Sequence, residues 1–298
     1  MQRIAIVLAV CAPAAAAAQE TAAIQLWRVA GTTLPVPQAL ATGGGSAVWN
    51  PAQPSPTGRG SVCLEIIQTP VAIGASGVLV VGRIRVSRFG AVGIVYGNMQ
   101  IPNLLRTTVS PAPDSGSIPY YGQFLVGNWS FTRGGTTVGT SLGLQDARLD
   151  AVNAQRAAFD VGIAQQLPGS LRIAAAGHLF APVAAGDPSH DFYGGVERRM
   201  WRGTLWRGSG PVSLTARYGV AFGHGFNPDH HFGLGLEIAA QFVADVQVAR
   251  EGGYGAAGWR GSAGIRIRVG HYRLTYARDT GISDIGSAYR IGLEAQVK

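Results

Sequence analysis

The chain has 298 residues, of which 43 are glycine, 47% are hydrophobic and only 13% are charged. The charged fraction is about half of the roughly 25% found in soluble domains, and glycine is about twice as frequent as average, which argues against an ordinary cytosolic protein. No run of eighteen or more apolar residues occurs in the body of the chain, so a helical membrane span is excluded there.

The first eighteen residues have the organisation of a cleaved signal peptide. Arg3 supplies a positive start, Ile4 to Val10 form an apolar stretch, and small alanines lead to a cleavage position after Ala18. Cys11 raises the alternative of a lipoprotein site, but Val10 precedes it where a small residue is expected. We therefore expect an exported protein whose mature chain begins at Gln19.

The charge and cysteine content exclude further classes. The mature chain would keep one cysteine, Cys63, so an internal disulfide is excluded and a small buried or lipid-facing side chain is predicted. The formal net charge of +8 comes almost wholly from arginine, since Lys298 is the only lysine. These arginines are spaced singly rather than clustered with aromatic side chains, so we expect no nucleic-acid partner.

Apolar side chains recur with a period of two along most of the chain. Near the carboxyl end, Ile265 and Ile267 alternate with Arg266 and Arg268, which is typical of a strand with one apolar and one polar face. The same alternation occurs over residues 80–86, 159–163, 171–175, 212–222, 232–238, 242–248, 272–276 and 289–297.

The predicted connections alternate in length after a first strand near Val62 to Gln68. The short ones lie at residues 88–89, 133–135, 167–169, 208–210, 239–241 and 270–271. The long ones lie at residues 98–119, 181–191, 223–230, 251–258 and 279–287. About fourteen strands of roughly 9 to 11 residues, with short turns at one end and long loops at the other, are typical of an outer-membrane barrel.

We therefore predict an all-β fold, a transmembrane antiparallel β-barrel of about 14 strands with an N-terminal plug-like segment. A closed sheet pairs every backbone group, as the interior of a membrane requires. The alternative is a soluble β-sandwich, whose outer surface would carry more charge than this chain provides. The predicted division is a signal peptide over residues 1–18, a plug-like segment over 19–60 and the barrel over 61–298.

Several motifs carry a resemblance to a known family. The phrase GGGSAVWNPAQPS, with Asn50, Pro51 and Ala52, resembles the Asn-Pro-Ala element of FadL-like outer-membrane proteins and of the related PorV/PorQ family. The segments AAFDVGIAQQLPGSLRIAAAGHLF, HFGLGLEIA and YRLTYARDTGISDIGSAYRIGLEAQV are similar to strands and hairpins of PorV/PorQ proteins. The resemblance implies a FadL-type barrel with the amino-terminal segment near or inside the lumen.

Two features depart from that family. The last strand ends Gln296-Val297-Lys298, without the terminal aromatic residue of the usual barrel-assembly signal. The stretch from Asp146 to Ala158 is more polar than the family strand that it would replace. The strand boundaries in that stretch therefore stay open at this point.

Charged residues on the polar faces are the candidates for the lumen. They are Arg83, Arg85, Arg172, Arg217, Glu237, Asp245, Arg266, Arg268, Arg273, Arg290 and Glu294. A passage with a positive lining would favour anions. The alternative is that these charges pair across the lumen and with the plug-like segment, and so stabilise a closed barrel.

The sequence offers no catalytic constellation, so we expect a protein that is not an enzyme and that has no cofactor. His224, Asp229, His230 and His231 lie within eight residues, a spacing that metal ligands can have. However, adjacent His230 and His231 point to opposite faces of a strand, and we predict a solvated loop and no metal site. His190-Asp191 and Ser283-Asp284 are interpreted as turn-forming loop residues.

These features predict a protein of the outer membrane of a Gram-negative cell, in contact with outer-membrane lipid and delivered by the barrel-assembly machinery. Two functions follow from the family resemblance. One is transport of hydrophobic or small amphipathic compounds, gated by residues 19–60. The other is a docking or shuttle role for secreted proteins, as in type IX secretion, in which the barrel conducts nothing.

Overall fold

The computed structural model describes residue 31 and residues 33–69, 74–86, 89–102, 104–105, 117–181, 190–204, 210–223, 227–252, 258–281 and 287–298. The predicted signal peptide lies outside these residues. Of the predicted plug-like segment, residues 19–30 and residue 32 also lie outside them. Within the described residues no helix is long and apolar enough to cross a membrane.

The described chain forms a closed antiparallel barrel of fourteen strands, which confirms the predicted fold class. In chain order the strands are β1 (Gly60–Gln68), β2 (Ser76–Arg85), β3 (Ala91–Gln100), β4 (Leu104–Leu105), β5 (Ser117–Ile118), β6 (Tyr120–Arg133), β7 (Thr136–Leu149), β8 (Val152–Leu167), β9 (Leu171–Phe180), β10 (His190–Gly203), β11 (Val212–Gly223), β12 (Asp229–Ile238), β13 (Phe242–Glu251), β14 (Gly258–Val269), β15 (Tyr272–Asp279) and β16 (Tyr289–Val297). The short strands β4 and β5 pair only with each other, in the connection between β3 and β6.

The barrel closes where the first strand meets the last. β1 pairs with β16 over nine residues, from Gly60 opposite Val297 to Gln68 opposite Tyr289. The other barrel strands pair with the barrel strands before and after them in the chain. β3 therefore pairs with β6, because β4 and β5 are not part of the barrel. Closure gives each of the fourteen barrel strands a partner on both sides, which is the condition for a sheet in hydrocarbon.

The two rims of the barrel differ. At one rim, which we call the short-turn end, tight turns follow β6, β8, β12 and β14. Glycines with positive φ allow three of these turns, at Gly134 and Gly135, at Gly169 and at Gly270. At the opposite rim, the long-loop end, the connections after β3, β9 and β15 are longer.

The polar stretch from Asp146 to Ala158 forms a regular β-hairpin. β7 and β8 pair throughout it and are joined by a two-residue turn at Asp150-Ala151, which breaks the alternation of short and long connections. β8 begins at Val152, whereas its pairing with β9 starts only at Ala158. The hairpin therefore extends beyond the end of β9, and its polarity is explained by its position past the apolar band.

Other sequence-based boundaries need correction as well. His190 and Asp191, interpreted as loop residues, are the first residues of β10, and Asp191 is buried. The barrel strands have 8 to 16 residues, a wider range than the predicted one. Ser283 and Asp284 lie outside the described residues.

The outer face of the wall is apolar and exposed. Leu142 and Leu144 are 69% and 66% exposed, and they alternate with inward residues that are half-buried or buried. Other exposed side chains of this face are Val62, Leu64, Ile66, Ile94, Leu125, Val161, Ile163, Leu234, Val246, Ile265, Leu274, Ile291 and Leu293. Such an uninterrupted apolar surface on a closed sheet is the lipid-facing band of a transmembrane barrel.

Amphipathic residues mark the limits of this band. Near the short-turn end, the Trp129 indole donates a hydrogen bond of 2.9 Å to the Phe89 carbonyl and stacks on Phe131. Past the band at the long-loop end, outward Gln123 and Gln155 both donate to Asp146. Aromatic side chains at the membrane interface with polar side chains beyond it are typical of transmembrane barrels.

Candidate functional site

A segment before the first strand lies inside the barrel. Residues 33–56, which we call the inner segment, contain two short 3₁₀ turns at Gln38–Leu40 and Gly44–Val48. Its apolar side chains are buried, among them Leu34, Leu40 and Trp49. These belong to one cluster with inward residues of the wall, including Cys63 on β1 and Tyr193 on β10.

Hydrogen bonds join the inner segment to strands around the wall. The acceptors are carbonyl groups of the segment, and the donors are inward side chains. Gln247 (3.2 Å) and Ser262 (3.0 Å) bind Leu34, Arg172 (3.1 Å) binds Leu40, Asn128 (3.3 Å) binds Pro51, and Arg83 (3.1 Å) binds Pro54. Because these donors belong to β2, β6, β9, β13 and β14, only a segment in the lumen can reach all of them.

Glycines on the inner wall make room for the segment. A Cβ atom at Gly162 would lie 2.1 Å from the Asn50 side-chain oxygen, and one at Gly139 would lie 2.1 Å from the Pro51 carbonyl oxygen. The same holds for Gly195 against Leu40, Gly219 against Pro37 and Gly264 against Pro35. Any larger residue at these positions would collide with the segment, so part of the high glycine content is explained by close backbone approach.

The Asn-Pro-Ala motif organises the inner segment. The Asn50 amide donates to the Ala39 carbonyl at 2.7 Å, and its oxygen accepts from the Ala52 backbone N–H at 2.9 Å. Gln53 in turn donates to the Asn50 carbonyl at 2.8 Å. Since Asn50 is fully buried, this side chain satisfies backbone groups that would otherwise lack partners.

A buried histidine holds the segment to the wall. His178 on β9 lies 2.8 Å from the Asp160 carboxylate through Nδ1 and 3.0 Å from the Trp49 carbonyl through Nε2. Ser141 donates to the other oxygen of Asp160 at 2.6 Å. Both ring nitrogens face acceptors, so the doubly protonated imidazolium is the form that satisfies both contacts. Tyr193 packs edge-on against the ring.

The serine, aspartate and histidine of this cluster do not form a catalytic triad. A triad needs the serine bonded to the histidine and the aspartate behind it. Here Ser141 is bonded to Asp160 instead, and the second nitrogen of His178 is taken by Trp49. The arrangement is a structural clamp on the inner segment.

Four of the predicted lumen residues form one ion-pair network. Asp245 accepts from Arg217 at 2.6 Å and from Arg266 at 3.3 Å. Glu197, which the sequence did not single out, bridges Arg217 at 3.0 Å and Arg172 at 3.2 Å. Asp245 is only 3% exposed, so this network lies in the interior of the barrel, where its charges are paired with one another.

The other predicted lumen residues have varied settings. Arg273 pairs with Glu294 at 2.9 Å, Arg290 lies 3.7 Å from Glu65, and Arg83 bonds the inner segment and Ser130. Among the described residues, Arg85, Arg268 and Glu237 are exposed and enter no ion pair.

Two cavities open at the short-turn end beside the inner segment. The first, of about 250 Å³, is lined by Arg172, Arg217, Arg266, Arg268 and Arg273 together with Glu197 and Glu237. The second, of about 360 Å³, includes Arg83, Glu294 and His271. Thr42, Arg268 and Arg273 line both.

Part of the histidine-rich stretch, predicted to be a solvated loop, lies in a strand. β12 begins at Asp229, so His231 is buried on the inner face and His230 lies on the outer face, within 2.7 Å of the Tyr218 hydroxyl. His224 lies outside the described residues. In the part of the chain that the structure describes, no three His, Cys, Asp or Glu side chains are placed to hold a metal ion.

Comparisons with known proteins do not identify a family. No family model matches the chain, and no curated protein matches it. The Acinetobacter baumannii outer-membrane protein Omp33 is 7% identical, with a TM-score of 0.47 over 80% of this chain and 98% of its own. CdiB from the same organism is 10% identical, with a TM-score of 0.46 over 79% of this chain and 59% of its own. A KdgM porin in complex with disordered oligogalacturonate is 7% identical, with a TM-score of 0.38 over 80% of this chain and 99% of its own.

Proposed function

We propose that the protein is an outer-membrane channel for small polar solutes, held closed by the inner segment and opened when this segment leaves its place. The observation that carries the proposal is the set of wall glycines that fit the segment, Gly139, Gly162, Gly195, Gly219 and Gly264. A wall shaped around one segment indicates that the closed state is a specific conformation.

The size of the barrel supports a passage. Barrels of about 8 strands are filled by their own side chains, whereas those of about 16 to 18 leave an aqueous channel. Fourteen strands fall between these sizes, and here the inner segment occupies part of the interior. Removing the segment would leave an interior lined by inward charges such as Glu65, Asp160 and Arg172.

The contacts of the segment suit a displaceable element. Hydrogen bonds and apolar packing hold it to the wall, and no disulfide fixes it, since Cys63 is a free thiol. Each such bond contributes about 1 kcal/mol net when water can replace the partner. Movement of the segment is therefore a conformational step and breaks no covalent bond.

The test compares the intact protein with a variant lacking residues 33–56 in planar lipid bilayers. We expect low conductance from the intact protein and a stable conductance about ten-fold higher or more from the variant. Equal conductance of the two proteins would contradict closure by the segment.

Cys63 reports whether the inner segment covers the wall. It is 4% exposed, and a Cβ atom on Gly44 would lie 2.3 Å from its Cβ, so the segment covers it. In a Cys11→Ser background, a water-soluble maleimide should leave Cys63 unlabelled in the intact protein and label it in the deletion variant. A labelled variant that keeps the circular dichroism of the intact barrel and conducts nothing would overturn the proposed function.

The sequence also predicted two more specific functions, which have less support than the channel. Transport of hydrophobic or amphipathic compounds is disfavoured by the charged lining of both cavities. Docking of secreted proteins, with membership of the PorV/PorQ family, stays a prediction that rests on the quoted motifs. The loop residues 106–116 that would serve docking lie outside the described residues.

A further inference from the structure

We propose that the two cavities at the short-turn end form a binding site for a small organic anion that carries carboxylate or phosphate groups, centred on Arg268 and Arg273. That such anions use the passage rests on the proposed function. That they bind at this site rests only on the geometry of the two cavities.

The centre of this site is a pair of like charges. Arg268 on β14 and Arg273 on β15 are directly opposite each other in the register, on the inner face. Like charges at directly opposite positions destabilise a sheet. Arg273 has Glu294 as a partner, whereas Arg268 enters no ion pair among the described residues. A bound anion would offset the repulsion and supply the missing partner.

The surrounding charges reinforce the site. Across the two cavities the described residues bring together six arginines and four carboxylates, counting Asp245, which pairs with two of the arginines. The carboxylates Glu197, Asp245 and Glu294 are each held in ion pairs. Six arginines against four carboxylates leave two positive charges in excess, and Arg268, which enters no ion pair among the described residues, lines both cavities.

The volume of the site limits the size of the ligand. The cavities have volumes of about 250 Å³ and about 360 Å³ and share Thr42, Arg268 and Arg273. Sites for small molecules have volumes of roughly 300 to 1,000 Å³. Guanidinium groups bind carboxylate and phosphate with two parallel hydrogen bonds, which explains the chemical class that we assign.

The site also has a relation to the inner segment. Thr42 and Gly43 of the segment lie between the cavities, and a Cβ atom at Gly43 would be 3.5 Å from an Arg273 guanidinium nitrogen. An anion bound at Arg268 and Arg273 would therefore contact the segment directly. Occupancy of the site and the position of the segment are expected to influence each other.

The test is titration calorimetry of the full protein in detergent, with citrate as the anionic probe and glucose as the neutral one. We expect citrate to bind and glucose to give no signal, and Arg268→Gln to weaken citrate binding about five-fold or more. Arg85→Gln is the matched control, since Arg85 is an exposed arginine of β2 near the same rim that lines neither cavity. This control should change the affinity less than about two-fold.

Two results would overturn the inference: no difference between citrate and glucose, or equal losses in the two variants. Arg268 is exposed and enters no ion pair within the described part of the chain, so its substitution should leave the fold intact, and unchanged urea unfolding would verify this. Failure here is distinguishable from failure of the proposed function, because the conductance of the variant lacking residues 33–56 does not depend on citrate binding. Citrate binding without conductance in any variant would contradict the channel and leave the site in place.

Discussion

Gly162 shows how a single hydrogen atom in place of a side chain can determine the interior of this barrel. It lies within β8 and does not have a positive φ, so the backbone does not require glycine there. The requirement comes from Asn50, whose side-chain oxygen occupies the space that a Cβ atom would need. Glycine in a strand therefore marks a place where another part of the chain approaches closely.

We expect Gly162→Ala to lower the free energy of unfolding by about 1 to 3 kcal/mol, because the added methyl group overpacks the contact with Asn50. Gly82→Ala is the control, since no atom lies within 4 Å of a Cβ at Gly82. The control should be neutral or stabilising by up to about 1 kcal/mol. Urea unfolding in lipid vesicles measures both, and equal effects would refute the close fit.

The His178 clamp gives a second prediction at this scale. His178→Leu leaves the Asp160 carboxylate and the Trp49 carbonyl without their buried partner, and should cost about 3 to 5 kcal/mol. The double variant that adds Asp160→Leu should recover part of this loss, because no lone buried charge remains. The control His271→Leu, in the exposed β14–β15 turn, should change stability by less than about 0.5 kcal/mol.

The measurement for this clamp is urea unfolding combined with maleimide labelling of Cys63. Loss of the clamp should loosen the inner segment and speed labelling of the thiol that it covers. Unchanged labelling in His178→Leu would show that the histidine stabilises the wall alone.

At the scale of elements, the residue pattern predicts the strands, whereas only the family resemblance predicts that the amino-terminal segment lies near or inside the lumen. Strand positions follow from a local period of two, as in Ile265 and Ile267, which needs no knowledge of distant residues. The inner segment is placed by contacts between residues far apart in the chain, such as Trp49 and His178. No periodicity records such a contact, so the alternation of residues alone does not place the segment inside the barrel.

The candidate site was predicted in part for the same reason. Alternation predicted an inner face for Arg217 and Arg290, but their respective partners Glu197 and Glu65 were missed. Glu197 sits beside Arg198 and Arg199 in a stretch with weak alternation. His178 was missed because a lone histidine in a strand carries no motif.

The ion-pair network gives a prediction for these elements. Asp245→Asn should lower the free energy of unfolding by about 3 kcal/mol, because Arg217 and Arg266 lose their shared carboxylate and repel each other. Glu237→Gln, on the neighbouring strand and without an ion pair in the described part of the chain, should cost less than about 0.5 kcal/mol. Urea unfolding in vesicles distinguishes the two, and similar costs would show that the network is not a stabilising unit.

For the whole molecule, the lipid-facing band determines which substitutions the barrel tolerates. Leu234 lies on the outer face in the middle of β12 and is 49% exposed. Leu234→Arg should cost about 2 to 4 kcal/mol in a bilayer, because arginine is poorly solvated at the membrane midplane. Gln123→Arg, outside the band, should cost at most about 1 kcal/mol.

This comparison also tests whether a bilayer surrounds the closed barrel. On the surface of a water-soluble protein, Leu234→Arg would be neutral, since surface substitutions change stability by about 0.5 kcal/mol or less. Urea unfolding in vesicles of defined lipid composition measures the difference between the two arginine variants. A negligible difference would contradict a bilayer around the wall.

The β7–β8 hairpin has a consequence for how the molecule can be followed on living cells. Residues 152–157 continue past the last residue of β9, and their tip is the two-residue turn at Asp150-Ala151. Loop tips that stand clear of the packed structure accept inserted sequence with little loss of stability. An epitope inserted between Asp150 and Ala151 would therefore act as an antibody handle at the long-loop rim. Staining of whole cells would then reveal which side of the membrane that rim faces.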